Sequence, residues 1–260
     1  MEQVIRDGAL ARAMKIPPSI ALLVGDLPMR GESIGRSNAR VWRIGTQFYL
    51  KVGGATSEVA DEADRLRWLA GRVPVPQVIV YERVDSECYL LTQALEGVAA
   101  HAVTQRLEAV RALAEGLRLL HGLDVRTCPF DARLAVTMAK ARANALAGRV
   151  DESDFDDARL GRTARDLLGE LDATRPEIED LVVTHGDYCL PNVILRGGAV
   201  AGFIDVGRAG VADRHQDFAC AARSIAYNYG DAFVAPFFDA YGVAPDPARI
   251  EFYQLLDEFF

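Results

Sequence analysis

The stretch Val182–Gly210, with the sequence VVTHGDYCLPNVILRGGAVAGFIDVGRAG, decides how we interpret this chain. It holds two short apolar runs, Val193–Leu195 and Val200–Ile204, and a polar turn with two glycines separates them. Such runs around a Gly-Gly pair are typical of a β-hairpin. Asn192 precedes the first predicted strand and Asp205 follows the second. An antiparallel hairpin therefore predicts that these two side chains lie at the same open end.

The polar residues around this hairpin suit phosphoryl transfer. The amide oxygen of Asn192 and the carboxylate of Asp205 are oxygen ligands of the kind that Mg²⁺ prefers. Asp187 lies five residues before Asn192 and can orient a hydroxyl group and accept its proton. A protein-kinase catalytic loop has the same order, with His-Arg-Asp, four residues and Asn, and then Asp-Phe-Gly. His185–Asp187 and Asp205–Gly207 match these motifs except for the Arg and the Phe. A surface hairpin with two capping aspartates would not explain why both motifs occur in this order.

Composition limits the classes of function. The 260 residues are 50% hydrophobic, which is enough for the core of one large domain or two closely joined lobes. The net charge of −8 argues against a nucleic-acid partner and suits a cationic one. The four cysteines lack metal-ligand spacing and indicate free thiols in a reducing compartment. No apolar run reaches membrane-spanning length, so we expect a cytoplasmic protein without a membrane partner.

The chain resembles the aminoglycoside 3'-phosphotransferases, which are bacterial resistance enzymes with a kinase-like fold. The likeness is densest in VVTHGDYCLPN (182–192), FIDVGRAGVADR (203–214) and the terminal LLDEFF (255–260). It implies phosphorylation of the 3'-hydroxyl group of aminoglycosides such as kanamycin or neomycin, with ATP and Mg²⁺ as cofactors. It also implies a cytoplasmic bacterial enzyme that is a monomer or a weak dimer.

The resemblance implies an α+β, bilobal, protein-kinase-like fold. We expect an N-terminal antiparallel sheet with one helix, a hinge and a mainly helical C-terminal lobe. The expected boundaries are residues 1–92 for the nucleotide-binding lobe, 93–97 for the hinge and 98–260 for the catalytic and aminoglycoside-binding lobe. Apolar periodicity predicts helices at residues 57–70, 106–121, 137–147, 217–229 and 247–260, and a short helix is predicted near residues 7–14.

Lys51 is the clearest candidate in the N-terminal part of the chain. It lies in the middle of an apolar strand pattern, where a charge is costly without a partner. Kinases place such a lysine on the α- and β-phosphates and pair it with a helix glutamate. Alignment with the family favours Glu62 for this ion pair, with Glu58 as the competing choice. The alternative interpretation is a solvent-exposed lysine on an edge strand.

Other nucleotide contacts are implied more weakly. Backbone groups near Ser37 and Asn38 could hold phosphate oxygens, although an ordinary hairpin loop is an equal alternative. The resemblance implies that Tyr49 stacks on the adenine. It further implies cofactor contacts from the backbone of Gln93 and Leu95, and from Leu195.

Two groups of acidic residues are candidates for binding substrate amino groups. Asp156 and Asp157 lie in a run rich in carboxylates, which could equally be a solvated loop with helix-capping acids. At the C-terminus, Asp257 and Glu258 stand with the carboxylate of Phe260, and we expect the two terminal phenylalanines to dock that end. The full set of candidate substrate contacts is Asp156, Asp157, Asp187, Arg208, Arg223, Asp257, Glu258 and Phe260.

Nearby residues are interpreted as supports. We expect Asp213 and Asp217 to hold the loops and Arg214 to pair with one of them. His121 is interpreted as a structural histidine at a helix end. Ser224 and Tyr227 stand where we expect acidic residues in the family, so the resemblance does not fix the substrate spectrum.

Two rival functions remain open at this point. The chain could phosphorylate another small alcohol such as choline, a sugar or a macrolide, which the terminal Asp257–Phe260 stretch argues against. It could also be a nucleotide-binding pseudokinase that scaffolds a partner. The complete set of Lys51, Asp187, Asn192 and Asp205 argues against that function.

Overall fold

The computed structural model describes residues 16–32, 39–54 and 57–260. The contacts divide the chain into two compact units. The first runs to Glu96 and also includes Ala201–Arg208, and the second comprises Gly97–Val200 and Ala209–Phe260. The boundary after Glu96 falls within residues 93–97, which the sequence predicts as a hinge. The first unit also contains Ala201–Arg208 from the later part of the chain, which a single boundary at the hinge would assign to the second unit. The predicted domain boundaries remain a prediction. The predicted helix near residues 7–14 lies outside the described residues.

Five antiparallel strands form the sheet of the first unit: β1 (Met29–Glu32), β2 (Arg40–Ile44), β3 (Phe48–Gly54), β4 (Val78–Val84) and β5 (Glu87–Gln93). Their order in the sheet is β1-β2-β3-β5-β4. In the register of the central strand β3, Lys51 lies opposite Val41 on β2 and opposite Leu90 on β5. The apolar strand pattern predicted around Lys51 is β3, whereas β1, which is short and contains a glycine, was not predicted.

Side chains along β3 alternate between the two faces of the sheet, so Lys51 lies on the face opposite Leu50 and Val52. Leu50 and Val52 are buried with Ile20 of helix α1 (Pro18–Val24), which the sequence did not predict. Lys51 points to the opposite face because successive side chains of a strand alternate. Helix α2 (Val59–Leu69) brings Glu62 within hydrogen-bond distance of Lys51. On the Lys51 face, its cross-strand partner Leu90 on β5 is also buried.

The second unit is mainly helical. Its helices are α3 (Arg106–His121), α4 (Leu134–Leu146), α5 (Ala164–Thr174), α6 (His215–Tyr229), α7 (Val234–Tyr241) and α8 (Pro247–Asp257). Helix α3 packs against α7, and α6 packs against α8. One apolar core draws on α4, α5, α6 and α8 and includes Leu167, Phe252 and Phe259. Among the described residues, no helix has both the length and the apolar character needed to cross a bilayer.

The decisive hairpin forms as predicted. Strands β8 (Val193–Arg196) and β9 (Ala199–Phe203) are joined by Gly197 and Gly198, whose φ angles are 60° and 81°. Two positive φ angles in a two-residue turn match the right-handed twist of antiparallel strands, and glycine adopts them without steric cost. Strand β8 also pairs with β6 (Val98–Ala99) in a three-stranded sheet of order β6-β8-β9. Asn192 therefore stands directly before β8, and Asp205 follows β9 two residues after its end.

Several elements differ from the sequence-based expectation. Helix α5 was not predicted, although Thr163 caps it by accepting a hydrogen bond from the Asp166 N–H. Helix α7 was also missed, because Pro236 in its first turn reads as a helix breaker. Strand β7 (Leu181–Thr184) pairs with β10 (Gly210–Asp213), and neither was predicted as a strand. The C-terminal helix ends at Asp257 rather than Phe260.

Candidate active site

Lys51 makes two contacts with carboxylates within the first unit. Its Nζ atom donates to both oxygens of Glu62, at 2.8 and 2.7 Å, and also contacts Asp205. The structure therefore pairs Lys51 with Glu62 rather than with Glu58. The solvent-exposed edge-strand lysine is excluded, because β3 is the central strand and the Lys51 side chain is only 20% exposed.

The charges of this group are mutually dependent. Burial alone would lower the pKa of Lys51, but the carboxylates of Glu62 and Asp205 outweigh it and raise that pKa above its ordinary value. Burial raises the pKa of the Glu62 carboxyl, and the Lys51 ammonium opposes this shift. The lysine therefore remains a cation across the physiological range, as a group that binds phosphate must.

The segment around Asp205 is held against helix α2. Asp205 itself adopts a left-handed backbone conformation, with φ of 58°, which aspartate tolerates better than most residues. A Cβ atom on Gly207 would lie 3.2 Å from the Glu58 Cβ, so glycine permits the close approach. Arg208 Nε donates to Glu58 at 3.2 Å. The proposed substrate role of Arg208 stays a prediction.

Asp187 and Asn192 are joined within one loop of the second unit. The Asn192 side-chain amide donates to the Asp187 carbonyl at 3.0 Å and to its carboxylate at 2.8 Å. A short 3₁₀ turn, Leu190–Asn192, closes the loop before β8. The side-chain nitrogen of Asn192 donates to Asp187, and the amide oxygen of Asn192 is the atom that would bind a cation.

Asp217 supports this loop from helix α6, as the sequence predicts. Its buried carboxylate accepts hydrogen bonds from the N–H groups of His185 at 2.8 Å and Gly186 at 2.9 Å. His121 Nε2 lies 2.9 Å from the same carboxylate, and His121 Nδ1 lies 2.8 Å from the Tyr241 hydroxyl. His121 is thus structural, as predicted, and its link to the loop was not foreseen.

Two further supports correct or extend the predictions. Asp213 is buried, and it accepts from the His215 N–H at 2.9 Å and from Arg249 at 3.0 Å. Arg214 pairs with Asp180 at 2.7 Å, so the predicted pairing with Asp213 or Asp217 is wrong. Asp180 lies just before β7, and the register of β7 with β10 brings it beside Arg214.

Ser224 is a loop contact that the sequence did not reveal. Its Oγ accepts a hydrogen bond from the Leu190 N–H at 2.9 Å, between Asp187 and Asn192 in the chain. Asp217 and Ser224 are seven residues apart and so share one face of α6. Two polar residues at this spacing in a helix rich in alanine were the available signal. Tyr227, by contrast, is exposed.

The predicted nucleotide contacts have mixed outcomes. Ser37 and Asn38 lie outside the described residues. Tyr49 is half-buried on the same face of β3 as Lys51, and the Arg43 guanidinium lies 5.9 Å from its ring centre. The Gln93 N–H already donates to the Gln77 carbonyl at 2.9 Å, and the predicted backbone contact of Gln93 with a nucleotide stays a prediction. The roles of Leu95 and of the buried Leu195 stay predictions.

Two of the acidic candidates of the second unit, Asp156 and Glu258, already accept hydrogen bonds within the protein. Asp156 accepts from the N–H groups of Ala158 and Arg159, both at 3.1 Å, and contacts the Arg159 guanidinium. The sequence left open a solvated loop with helix-capping acids, and the structure shows Asp156 capping a turn rather than a helix. Asp157 is exposed, whereas the Glu258 side chain is 5% exposed and accepts from the Asp156 N–H at 3.3 Å.

The C-terminus docks by one aromatic residue rather than two. Phe259 is buried in the core, and its carbonyl accepts from the Asn144 side chain at 2.9 Å. Phe260 is 44% exposed, so the expectation that both phenylalanines dock is wrong. Arg223 on α6 contacts Asp257 and lies 3.4 Å from Glu258. Burial would lower the pKa of Arg223, but Asp257 outweighs it and raises that pKa.

The candidate metal ligands have suitable chemistry for Mg²⁺. Asn192 offers an amide oxygen and Asp205 a carboxylate, and Mg²⁺ commonly takes few protein ligands besides water and phosphate oxygens. Within residues 16–32, 39–54 and 57–260, no three His, Cys, Asp or Glu side chains group as a metal site of their own. The assignment of Asn192 and Asp205 as Mg²⁺ ligands stays a prediction.

Comparisons with known proteins show which family the chain resembles. A family model described as the phosphotransferase enzyme family matches residues 30–253. An aminoglycoside 3'-phosphotransferase from Streptomyces fradiae is 47% identical over 230 residues, which cover 82% of this chain and 86% of that relative.

Two solved structures have the same fold. The crystal structure of an aminoglycoside 3'-phosphotransferase of type VIII superposes with a TM-score of 0.83 at 38% identity, covering 93% of this chain and 98% of that one. An aminoglycoside phosphotransferase from Streptomyces rimosus, in complex with ADP and streptomycin, gives a TM-score of 0.82 at 27% identity, covering 98% and 99%. The bilobal kinase-like fold is therefore confirmed, and the chain belongs to the aminoglycoside 3'-phosphotransferases of the phosphotransferase enzyme family.

Proposed function

We propose that this chain transfers the γ-phosphoryl group of ATP to the 3'-hydroxyl group of an aminoglycoside such as kanamycin or neomycin, and so confers resistance. The observation that carries the type of reaction is the contact of Lys51 with both Glu62 and Asp205. A lysine held between two carboxylates on the inner face of a sheet suits a cation that positions phosphate groups.

The chain's own residues supply positioning and proton transfer. Asp187 accepts the proton of the substrate hydroxyl group, and the hydrogen bond from Asn192 fixes its orientation. Asp217 holds the backbone of the loop that carries Asp187. Lys51 neutralises and orients the α- and β-phosphates, and Glu62 orients Lys51. Mg²⁺, held by Asn192 and Asp205, would neutralise the negative charge that develops on the phosphates.

The substrate class rests on family membership and charge. Aminoglycosides carry several ammonium groups at neutral pH, and carboxylates in a partly buried setting attract them. Asp156, Asp257 and Glu258 lie together near the end of α8 in the second unit. Candidate contacts from Asp157, Arg208, Arg223 and Phe260 are part of the same proposal.

The setting of the enzyme follows from its chemistry. ATP is abundant inside bacterial cells, and the four free thiols are compatible with a reducing compartment. We therefore place the enzyme in the bacterial cytoplasm, as a monomer or a weak dimer. Its partner is the small-molecule substrate rather than a nucleic acid or a membrane.

A substrate panel tests the proposal. Purified protein is incubated with ATP, Mg²⁺ and, in turn, kanamycin, neomycin, choline and a macrolide, and products are followed by mass spectrometry. Tobramycin is the matched control, because it resembles kanamycin but has no 3'-hydroxyl group. We expect phosphorylated kanamycin and neomycin and no phosphorylated tobramycin. Transfer to choline or the macrolide alone would support another small-alcohol kinase, and no transfer at all would support a pseudokinase.

A further inference from the structure

The segment between α4 and α5 buries an arginine that the proposed chemistry does not use. Arg159 has a side chain that is only 3% exposed. Its guanidinium contacts Asp156 in the same turn and Glu251 on α8, and it lies 3.8 Å from Glu258. A buried guanidinium is costly unless carboxylates surround it, so its position is strongly determined.

Arg159 joins two parts of the chain that are distant in sequence. Asp156 belongs to the segment before α5, whereas Glu251 and Glu258 belong to α8 and its end. The Asp156 N–H donates to Glu258 at 3.3 Å, so the arginine and this hydrogen bond connect the same two parts. Because Phe259 is buried directly after Glu258, the backbone there is also fixed.

We propose that Arg159 is a positioning residue for the aminoglycoside, because it holds Asp156 and Glu258 in the arrangement that receives a substrate ammonium group. This inference rests on the proposed function. The Arg159 guanidinium is occupied by Asp156 and Glu251, so its effect on the substrate passes through the carboxylates that it holds. Its planar guanidinium suits this task, since it can face carboxylates on both parts of the chain at once.

The charge of Glu258 is part of the same arrangement. Burial and the nearby Asp156 raise the pKa of Glu258 to about 7, and Arg223 and Arg159 act in the opposite direction. Asp257 and Glu251 are the other charged groups around these arginines. Removing the Arg159 charge should therefore raise the pKa of Glu258 further and leave it more often neutral near pH 7.

Two variants test the proposal against a matched control. Arg159→Gln removes the charge, and Arg159→Lys keeps the charge without the planar fork. Arg162→Gln is the control, because Arg162 lies in the same segment but donates to Glu170 at 2.6 Å and is 40% exposed. Steady-state kinetics with kanamycin and with ATP, and thermal melting, are measured for each protein.

We expect Arg159→Gln to raise the KM for kanamycin about tenfold, as the loss of charge-assisted contacts would do. Arg159→Lys should give a smaller increase, and Arg162→Gln should match the parent. The kcat and the KM for ATP should stay close to the parent values in all three. The kanamycin KM of Arg159→Gln should approach the parent value as the pH rises above 8, because Glu258 is then ionised in both.

Several outcomes would overturn the proposal. One is an unchanged kanamycin KM in both Arg159 variants, and another is an equal increase in Arg162→Gln. A purely structural role would lower kcat and the melting temperature without raising the kanamycin KM. If Arg159→Gln does not fold, Arg159→Lys and the calorimetric Kd for kanamycin decide in its place. A parent protein that does not phosphorylate kanamycin would instead contradict the proposed function.

Discussion

The catalytic loop and the acid cluster of the second unit both gather polar side chains, but they are held in different ways. In the loop, Asp217 accepts hydrogen bonds from two backbone N–H groups, which carry no net charge, and also lies 2.9 Å from His121 Nε2. In the cluster, Asp156, Asp257 and Glu258 are paired with arginines. Backbone donors fix geometry over a wide range of pH and salt, whereas ion pairs respond to both.

This difference predicts a division of labour. Substitutions in the loop should lower kcat, because they disturb the reacting group or its support. Substitutions in the cluster should raise the KM for the drug and leave kcat and the KM for ATP close to the parent values. Mixed effects in either region would contradict the division.

The largest effect is expected at Asp187. Asp187→Asn should lower kcat by about 10²-fold or more, because the positioned proton acceptor is lost while the shape is kept. ATP affinity should stay nearly constant, since Lys51 and Asp205 are intact. Steady-state kinetics and nucleotide calorimetry on the purified variant measure both quantities, and near-normal turnover would exclude Asp187 as the base.

A smaller loss of turnover is expected at Asp217, which supports the catalytic loop. Asp217→Asn should lower kcat about tenfold and the free energy of unfolding by about 2 kcal/mol, because a buried acceptor of backbone N–H groups loses its charge. Thermal melting and kinetics at a temperature well below the transition separate the two effects. A loss of stability with an unchanged kcat would mean that Asp217 does not position the loop.

The cluster should respond through the KM for the drug. The double variant Asp257→Asn with Glu258→Gln keeps the shape and should raise the kanamycin KM about tenfold, or about 1.4 kcal/mol. Arg223 and Arg159 then have fewer partners, so melting serves as the stability control. An unchanged kanamycin KM would leave the substrate class resting on family membership alone.

The smallest effect concerns pH. With a pKa of about 7, Glu258 is neutral below that pH and charged above it, so kanamycin binding should strengthen severalfold between pH 6 and pH 8. Deprotonation of the drug amines opposes this trend, and Glu258→Gln retains only that opposing effect. The kanamycin KM values of the parent protein and of Glu258→Gln should therefore diverge as the pH rises. Parallel pH profiles of the two proteins would show that Glu258 does not contribute to kanamycin binding.

The same comparison explains what the sequence could predict. The loop was predictable because motif spacing determines it locally, whereas the choice of Glu62 over Glu58 as the partner of Lys51 came from the resemblance to the family. The acid cluster was recognised only as a set of carboxylates. The arginines that pair with this cluster are Arg159, from the segment between α4 and α5, and Arg223 on α6. No local sequence pattern predicts which arginine from a distant part of the chain contacts Asp257 or Glu258. The same reason explains why Arg214 was assigned to the wrong aspartate.

The position of the phosphate on the product tests the central claim most directly. Kanamycin is converted with ATP and Mg²⁺ by the parent protein, and by Asp187→Asn as a control, and the products are examined by ³¹P and ¹H nuclear magnetic resonance. We predict a single phosphate ester on the 3'-oxygen with the parent protein, formed at a rate about 10²-fold or more lower with Asp187→Asn. A phosphate on any other oxygen, or product formed equally fast by both proteins, would contradict the account.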